Sequence, residues 1–275
     1  MSARHHATFV LSTGRCGTQW LAYALALPGV GAGRVEHEPL GERYRPRLLL
    51  GAHGDPAALP PADAARVEQH LAGIEATLEH EDYFEAGFPC WSALPYLARC
   101  FAGRIRVVHL TRHPLPVAYS WVSHSAYVPP LLPRLPEKIL LHPTDAGVSF
   151  PEYAAAWAGL HPFERSLFFW AEVHAFALRW QLSAGVPWLR LDAAELFTAP
   201  GLARLAAFLG LTVGPELQVA TQEVVDEHRF LLAEWIEPGV IARHPRVVEV
   251  AQALGYDPLA CDVAALKRRY LPHLA

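Results

Sequence analysis

Residues 9–21, Phe-Val-Leu-Ser-Thr-Gly-Arg-Cys-Gly-Thr-Gln-Trp-Leu, gather residue types that bind an anionic group. Gly14 and Gly17 let the backbone come close to a ligand, so that loop N–H groups converge on an anion. Arg15 sets a fixed cation between them, able to bridge a phosphate and a neighbouring anionic group. Thr18 and Gln19 add donors where an apolar-periodic segment starts, and a helix N-terminus there adds positive potential. Glycine loops are common, and the plainer reading is a strand-to-helix turn with a surface arginine. The triphosphate loop G-x-x-x-x-G-K-S/T uses its lysine on the terminal phosphates and its hydroxyl on magnesium. Here the second glycine comes three residues after the first, and Thr18-Gln19 replace the lysine and hydroxyl. The dinucleotide fingerprint G-x-G-x-x-G is missing too. The loop suits a phosphate donor better than ATP or NAD.

Two further groups carry chemistry. Glu36-His37-Glu38-Pro39 offers carboxylates and an imidazole as proton acceptors. Pro39 biases Glu38 to an extended backbone, and strand alternation then groups Glu36 with Glu38 and turns His37 away. Glu38 is the preferred base and His37 the reserve. Either glutamate is equally readable as a solvated strand-end charge. The second group is Thr111-Arg112-His113-Pro114, after the β-branched run Ile105–Leu110. Arg112 is expected at the carboxyl edge of a strand, where open α/β sheets bind ligands. Ser120 follows two helical turns later.

The elements that must hold these residues follow from pattern. Phe9–Leu11 reads as a buried strand, and Leu21 and Leu25 as one face of the helix that Pro28-Gly29 ends. Val30–Val35 is expected as a second strand. Residues 43–61, with Arg43, Arg45 and Arg47, are rich in proline, glycine and arginine and read as a long surface loop, a substrate lid. Only an acidic acceptor would give those arginines a role beyond solvation. Pro61 starts a helix with Val67, Leu71, Ile74 and Leu78 on one face. Tyr83–Ala86 is a strand, 91–101 a helix, and Pro114 opens the helix bearing Trp121. Residues 126–151 form a second long loop. Residues 164–184 are apolar all round and predict a buried helix, so Trp170, His174 and Trp180 are core before they are ligand contacts. A strand over 186–191, a capping-box-like Asp192-Ala-Ala-Glu195, and helices over 200–210, 215–228 and 245–254 complete the chain. No repeat or composition break marks a boundary, so one domain over 1–275 is expected.

Composition narrows the function. At 275 residues and 52% hydrophobic, the chain can bury a large core. A net charge of −4 argues against non-specific nucleic-acid or anionic-membrane binding. The 15 histidines are scattered, and Cys16, Cys90, Cys100 and Cys261 form no C-x-x-C pair, which disfavours a zinc site and suits a reducing compartment. We expect a soluble, cytoplasmic protein with no membrane span.

With both loops in view, the sequence resembles the sulfotransferases that use 3′-phosphoadenosine 5′-phosphosulfate (PAPS), most of all bacterial members acting on small molecules or carbohydrates. Residues 12–21 are similar to the family's 5′-phosphosulfate loop. The resemblance implies that Gly14, Arg15, Cys16, Gly17, Thr18 and Gln19 surround the phosphosulfate, with Trp20 near the adenine. Residues 107–121 are similar to its second signature, implying that Arg112 and Ser120 hold the 3′-phosphate. His37-Glu38-Pro39 resembles a motif near the acceptor base in bacterial relatives. The pattern Phe169-Trp170-Ala171-Glu172 and the later Ala206-Phe208-Leu209-Gly210 follow in the family's order. The sequence departs from the family at Arg15, where many relatives carry lysine, and at His113, where aspartate is usual. Arg229, Arg243 and Arg246 are the candidates for a late basic contact. The implied architecture is α/β, a P-loop-like three-layer fold with a central, mostly parallel sheet flanked by helices. The implied reaction is sulfuryl transfer from PAPS to a hydroxyl or amine, without a metal. The alternatives are a nucleotide-dependent kinase, with Asp192 on magnesium, and a non-catalytic nucleotide-binding domain. Oligomeric state is left open.

Overall fold

The computed structural model describes residues 5–44, 46–51, 54–132, 134–223 and 231–271. In chain order the elements are β1 (Ala7–Leu11), α1 (Thr18–Leu25), β2 (Arg34–His37), α2 (Pro46–Gly51), α3 (Pro61–Thr77), β3 (Tyr83–Ala86), α4 (Leu94–Cys100), β4 (Ile105–Thr111) and α5 (Pro114–Ser123). Then come α6 (Pro162–Ala184), β5 (Trp188–Asp192), α7 (Ala199–Leu209), α8 (Pro215–Ala220), α9 (Pro245–Ala253) and α10 (Val263–Tyr270). By internal contacts the chain divides into two units: Met1–Thr111 with Ala177–Asp226, and Arg112–Phe176 with Glu227–Ala275.

The first unit holds the sheet, in the order β2-β3-β1-β4-β5, and all four pairings are parallel. β1 is the central strand and every residue of it is buried, which suits its apolar run Phe9–Leu11. The chain leaves β1 towards β2 at one edge and later returns to add β4 on its other side. That reversal makes the carboxyl end of β1 a topological switch point, where such sheets bind ligands. Crossovers running in opposite directions along a parallel sheet put α1 and α3 on opposite faces. This is the expected central sheet flanked by helices. Along β4, burial and then Arg190 push His109 down to about 3, so the fold holds it neutral.

Three expectations fail here. The second strand starts at Arg34, not Val30, because Gly29, Gly31 and Gly33 turn through φ of 89°, 75° and 75°. A Cβ on Gly33 would lie 2.1 Å from the Asp82 carbonyl oxygen, so the chain must pass there as glycine. Residues 43–61 are not an open lid. A 3-10 turn over Gly41–Tyr44, then α2 and a second 3-10 turn over Pro56–Ala58 fold them down. Tyr44, Leu49, Leu50 and Leu59 are buried. Elements one or two turns long show no period for the sequence to reveal. Arg45 lies outside the described residues. Third, α8 stops at Ala220, where the Thr221 hydroxyl donates to the Gln218 carbonyl; the rest of the expected helix runs into residues 224–230, outside the description.

In the second unit α6 is buried from Ser166 to Ala175, as its apolar pattern predicts; its far end, in the first unit, is not, and Leu182 is 90% exposed there. The described residues of 126–151 are a loop, pinned rather than loose. Buried Glu172 accepts the backbone N–H groups of Ser149 (2.8 Å) and Phe150 (2.7 Å). The Tyr127 hydroxyl donates to the Leu141 carbonyl at 2.8 Å.

Candidate functional site

The loop leaving β1 is wound by residues in left-handed conformations. Gly14, Arg15 and Gly17 have φ of 70°, 58° and 92°. Gly14 N–H donates to Ser12 Oγ at 3.0 Å, Thr13 Oγ1 donates to the Gly14 carbonyl at 3.0 Å, and Cys16 Sγ donates to the same carbonyl at 3.1 Å. Ser12, Thr13, Cys16 and Thr18 are buried, Arg15 and Gly17 half-buried and Gln19 exposed. Gly17 caps α1 and no side chain covers that helix end, so the first-turn N–H groups are left for a ligand or water. A left-handed arginine costs about 1–2 kcal/mol relative to its ordinary conformation. Such outliers concentrate where a ligand is clamped. Trp20 is buried, donates its indole N–H to the Ala220 carbonyl at 2.8 Å and lies 4.8 Å from the ring of Phe197. Phe197 also lies 3.5 Å from where a Cβ of Gly17 would sit. Sequence reading missed Phe197; its 43% exposure, unusual for a phenylalanine, is a structural signal only.

At the exit of β2, Glu38 departs from expectation. Its φ is 47°, left-handed rather than extended. Its N–H continues the ladder to the Ala86 carbonyl (2.9 Å) while its carbonyl accepts Gly41 N–H (3.0 Å), and these two bonds force the reversal. The preference that Pro39 imposes is overridden by pairing with β3. Alternation breaks with it. Glu36 turns to Arg34 and Tyr83, whereas Glu38 Oε1 lies 3.8 Å from His37 Nε2. Glu38 packs over Gly87, where a Cβ would lie 2.5 Å from Glu38 Cγ. Gly87 is the second residue the sequence did not single out. Registers Phe9↔Glu85 and Glu36↔Glu85 set Glu38 level with Leu11 across the sheet. With β3 between them, the two exits stand about 10 Å apart at ordinary strand spacing.

In the second unit, the Arg112 carbonyl accepts the Trp170 indole N–H at 2.9 Å. His113 caps α5: Leu115 N–H donates to its Nδ1 (3.3 Å), and its Nε2–H donates to the Asp257 carbonyl (2.9 Å). An imidazole thus does what a capping aspartate does, in its neutral tautomer. Arg112 is half-buried and Ser120 buried. Of the late arginines, Arg243 pairs with Glu164, and Arg246 with Glu152 and Glu249. Arg229 lies outside the described residues. Asp192, at the end of β5, accepts Ala194 N–H at 2.7 Å, a turn-forming role. Among the described residues, no group of three or more His, Cys, Asp or Glu is placed to hold a metal ion. Nor is any described helix long and apolar enough to cross a membrane.

No protein-family model matches the sequence, and no curated protein gives a significant match. Solved structures do. The sulfotransferase domain from the Synechococcus PCC 7002 olefin synthase superposes with a TM-score of 0.51 at 16% identity, covering 94% of this chain and 98% of that one. The sulfotransferase domain from the curacin biosynthetic pathway gives 0.51 at 14% identity, covering 93% and 99%. The fold is therefore a sulfotransferase fold.

Proposed function

We propose that the protein transfers a sulfuryl group from PAPS to a hydroxyl or amine of a small-molecule or carbohydrate acceptor. The observation that carries this reading is the Ser12–Gly17 loop: an anion cradle of left-handed residues and an uncapped helix end, at a switch point, with arginine in place of the triphosphate lysine. The fold and the resemblance of residues 107–121 support it. On this reading residues 14–19 hold the phosphosulfate, and Arg112 and Ser120 hold the 3′-phosphate.

Transfer is an in-line displacement. The acceptor oxygen or nitrogen forms a bond to sulfur while the bond from sulfur to the 5′-phosphate oxygen breaks, and the acceptor proton passes to Glu38. Positioning and charge stabilisation dominate such reactions. Arg15 stabilises the negative charge that grows on the departing phosphate, as a permanent cation rather than a proton donor. His37, 3.8 Å from Glu38, is the reserve base. We assign the reaction to the cytoplasm, consistent with four free thiols, Cys16, Cys90, Cys100 and Cys261.

Donor identity tests the reading. Adenosine 3′,5′-bisphosphate should raise Tm without magnesium, since binding to the native state stabilises by mass action. Equal or greater stabilisation by ATP with magnesium would favour a kinase instead.

A further inference from the structure

A cavity of about 500 Å³ lies within the first unit, lined by Arg34, Arg43, Arg66, Gln69, His70 and Tyr83. We propose that it binds a small polyhydroxylated anion: a sugar-sized ring bearing a carboxylate, sulfate or phosphate. It rests on the sulfuryl-transfer reading only in making that anion the acceptor.

The charges decide the ligand. Glu36 Oε1 takes Arg34 Nε at 2.9 Å, and its Oε2 takes the Tyr83 hydroxyl at 2.8 Å. Buried Glu85 has His70 Nε2 and the Tyr83 hydroxyl each at 3.0 Å from its Oε2. Glu36 is thus paired with Arg34, Glu85 is hydrogen-bonded to His70, and the single Tyr83 proton serves one carboxylate or the other. Burial first, then Glu85 and Glu36, push the Tyr83 hydroxyl far up, so it stays a donor. Arg43 and Arg66 line the same cavity and make no ion pair or side-chain hydrogen bond among the described residues. Two unmatched guanidinium groups on a concave wall call for an anion, with a fork that fits carboxylate, sulfate and phosphate alike.

The second unit offers a contrast. Its own cavity of about 630 Å³ is also lined by two arginines, Arg243 and Arg246. There each guanidinium is already bonded to glutamate, so nothing in it asks for an anion.

The remaining lining of the first cavity fits hydroxyl groups. Gln69 offers both a donor and an acceptor, and Glu36 and His70 present polar edges at the floor. The volume falls within the range of small-ligand sites. Pro39 and Leu40, which directly follow Glu38 in the chain, also line it, and on this proposal its occupant is the acceptor.

Calorimetric titration of the full chain with glucuronate, glucose 6-phosphate, glucose 6-sulfate, neutral glucose and inorganic sulfate tests the site, with adenosine 3′,5′-bisphosphate titrated in parallel. At least one sugar anion should bind more tightly than both glucose and inorganic sulfate, and which one does identifies the anionic group. Arg43→Gln and Arg66→Gln should each weaken that binding by about tenfold, the loss of one charge-assisted contact, and leave nucleotide affinity unchanged. Both side chains are outside the core, and the melting curve of each variant confirms folding. Overturning results are glucose binding as tightly as the sugar anions, inorganic sulfate binding as tightly as glucose 6-sulfate, no binding at millimolar concentration, or folded variants with unchanged affinity. Sugar-anion binding without nucleotide binding would sink the sulfotransferase reading and leave this site standing. Nucleotide binding without sugar-anion binding would do the reverse.

Discussion

In the loop after β1, hydrogen bonds run among Ser12, Thr13, Gly14 and Cys16, neighbours in the chain. In the bend after β2, the shape of Glu38 is set by Ala86 and Gly87, nearly fifty residues away. Both segments leave parallel strands at the same edge of one sheet, and both contain a non-glycine residue with positive φ, Arg15 and Glu38. The first, the proposed anion cradle, has hydrogen bonds among its own neighbouring residues. The second is a side chain aimed by its neighbour strand. The difference predicts which functions survive which mutations: changes across the sheet should disable proton transfer and spare donor binding.

The largest effect should come from the aimed carboxylate itself. Glu38→Gln is expected to lower kcat by about 10²–10⁴-fold, the usual worth of a general base, with the affinity for adenosine 3′,5′-bisphosphate intact. Arg15→Ala should also lower kcat more than it weakens nucleotide, because its charge matters most as the leaving group develops. Steady-state kinetics beside nucleotide titration separates the two. A large loss in His37→Ala with near-normal turnover in Glu38→Gln would reassign the base.

Gly87→Ala tests the comparison more sharply, since it touches neither the cradle nor the carboxylate chemically. Its Cβ cannot fit 2.5 Å from Glu38 Cγ, so Glu38 must shift. A displacement of about 1 Å at a catalytic group can cost about 10²-fold in rate. The expected signature is a fall in kcat with unchanged nucleotide affinity. If nucleotide binding falls as well, the two exits are mechanically coupled and the contrast between them is wrong.

That contrast also explains what could be read in advance. The turn after β1, the strands β1, β3, β4 and β5, and α3 are local: each is written in a few consecutive residues, by glycine or by an apolar pattern. The backbone of Glu38 is not local. Pro39 argues for an extended residue, and the ladder bond to β3 wins because an unpaired strand-end N–H would cost more. Residues 43–61 mislead for another reason: prolines and glycines mark the ends of short helices as readily as they mark a loop. The weak Phe169–Glu172 pattern holds more than its residues reveal alone. Trp170 fixes the carbonyl of Arg112, and Glu172 fixes the loop at Ser149 and Phe150.

Arg112 is the non-local counterpart among the proposed donor contacts, its carbonyl held by Trp170. Arg112→Ala should cost about 1.5–3 kcal/mol of donor binding, one charge-assisted contact. The loss should appear for adenosine 3′,5′-bisphosphate and vanish for adenosine 5′-phosphate, which lacks the 3′ group. Equal weakening of both nucleotides by titration would make Arg112 structural. Ser120→Ala should act in the same direction with a smaller loss.

The smallest effect belongs inside the cradle. Cys16 Sγ lies 3.1 Å from the Gly14 carbonyl and 3.4 Å from Thr13 Oγ1, and its side chain is buried. A thiol is a weak donor, and the left-handed turns at Gly14 and Gly17 come from residues that adopt them without steric cost. Cys16→Ala should therefore remove only about 1 kcal/mol from unfolding stability and weaken adenosine 3′,5′-bisphosphate less than Arg112→Ala does. Cys16→Ser keeps a donor at nearly the same place and should bind nucleotide like the parent. If Cys16→Ala instead abolishes nucleotide binding in a folded protein while Cys16→Ser restores it, the bond to the Gly14 carbonyl, and not the glycine geometry, is what holds the cradle open.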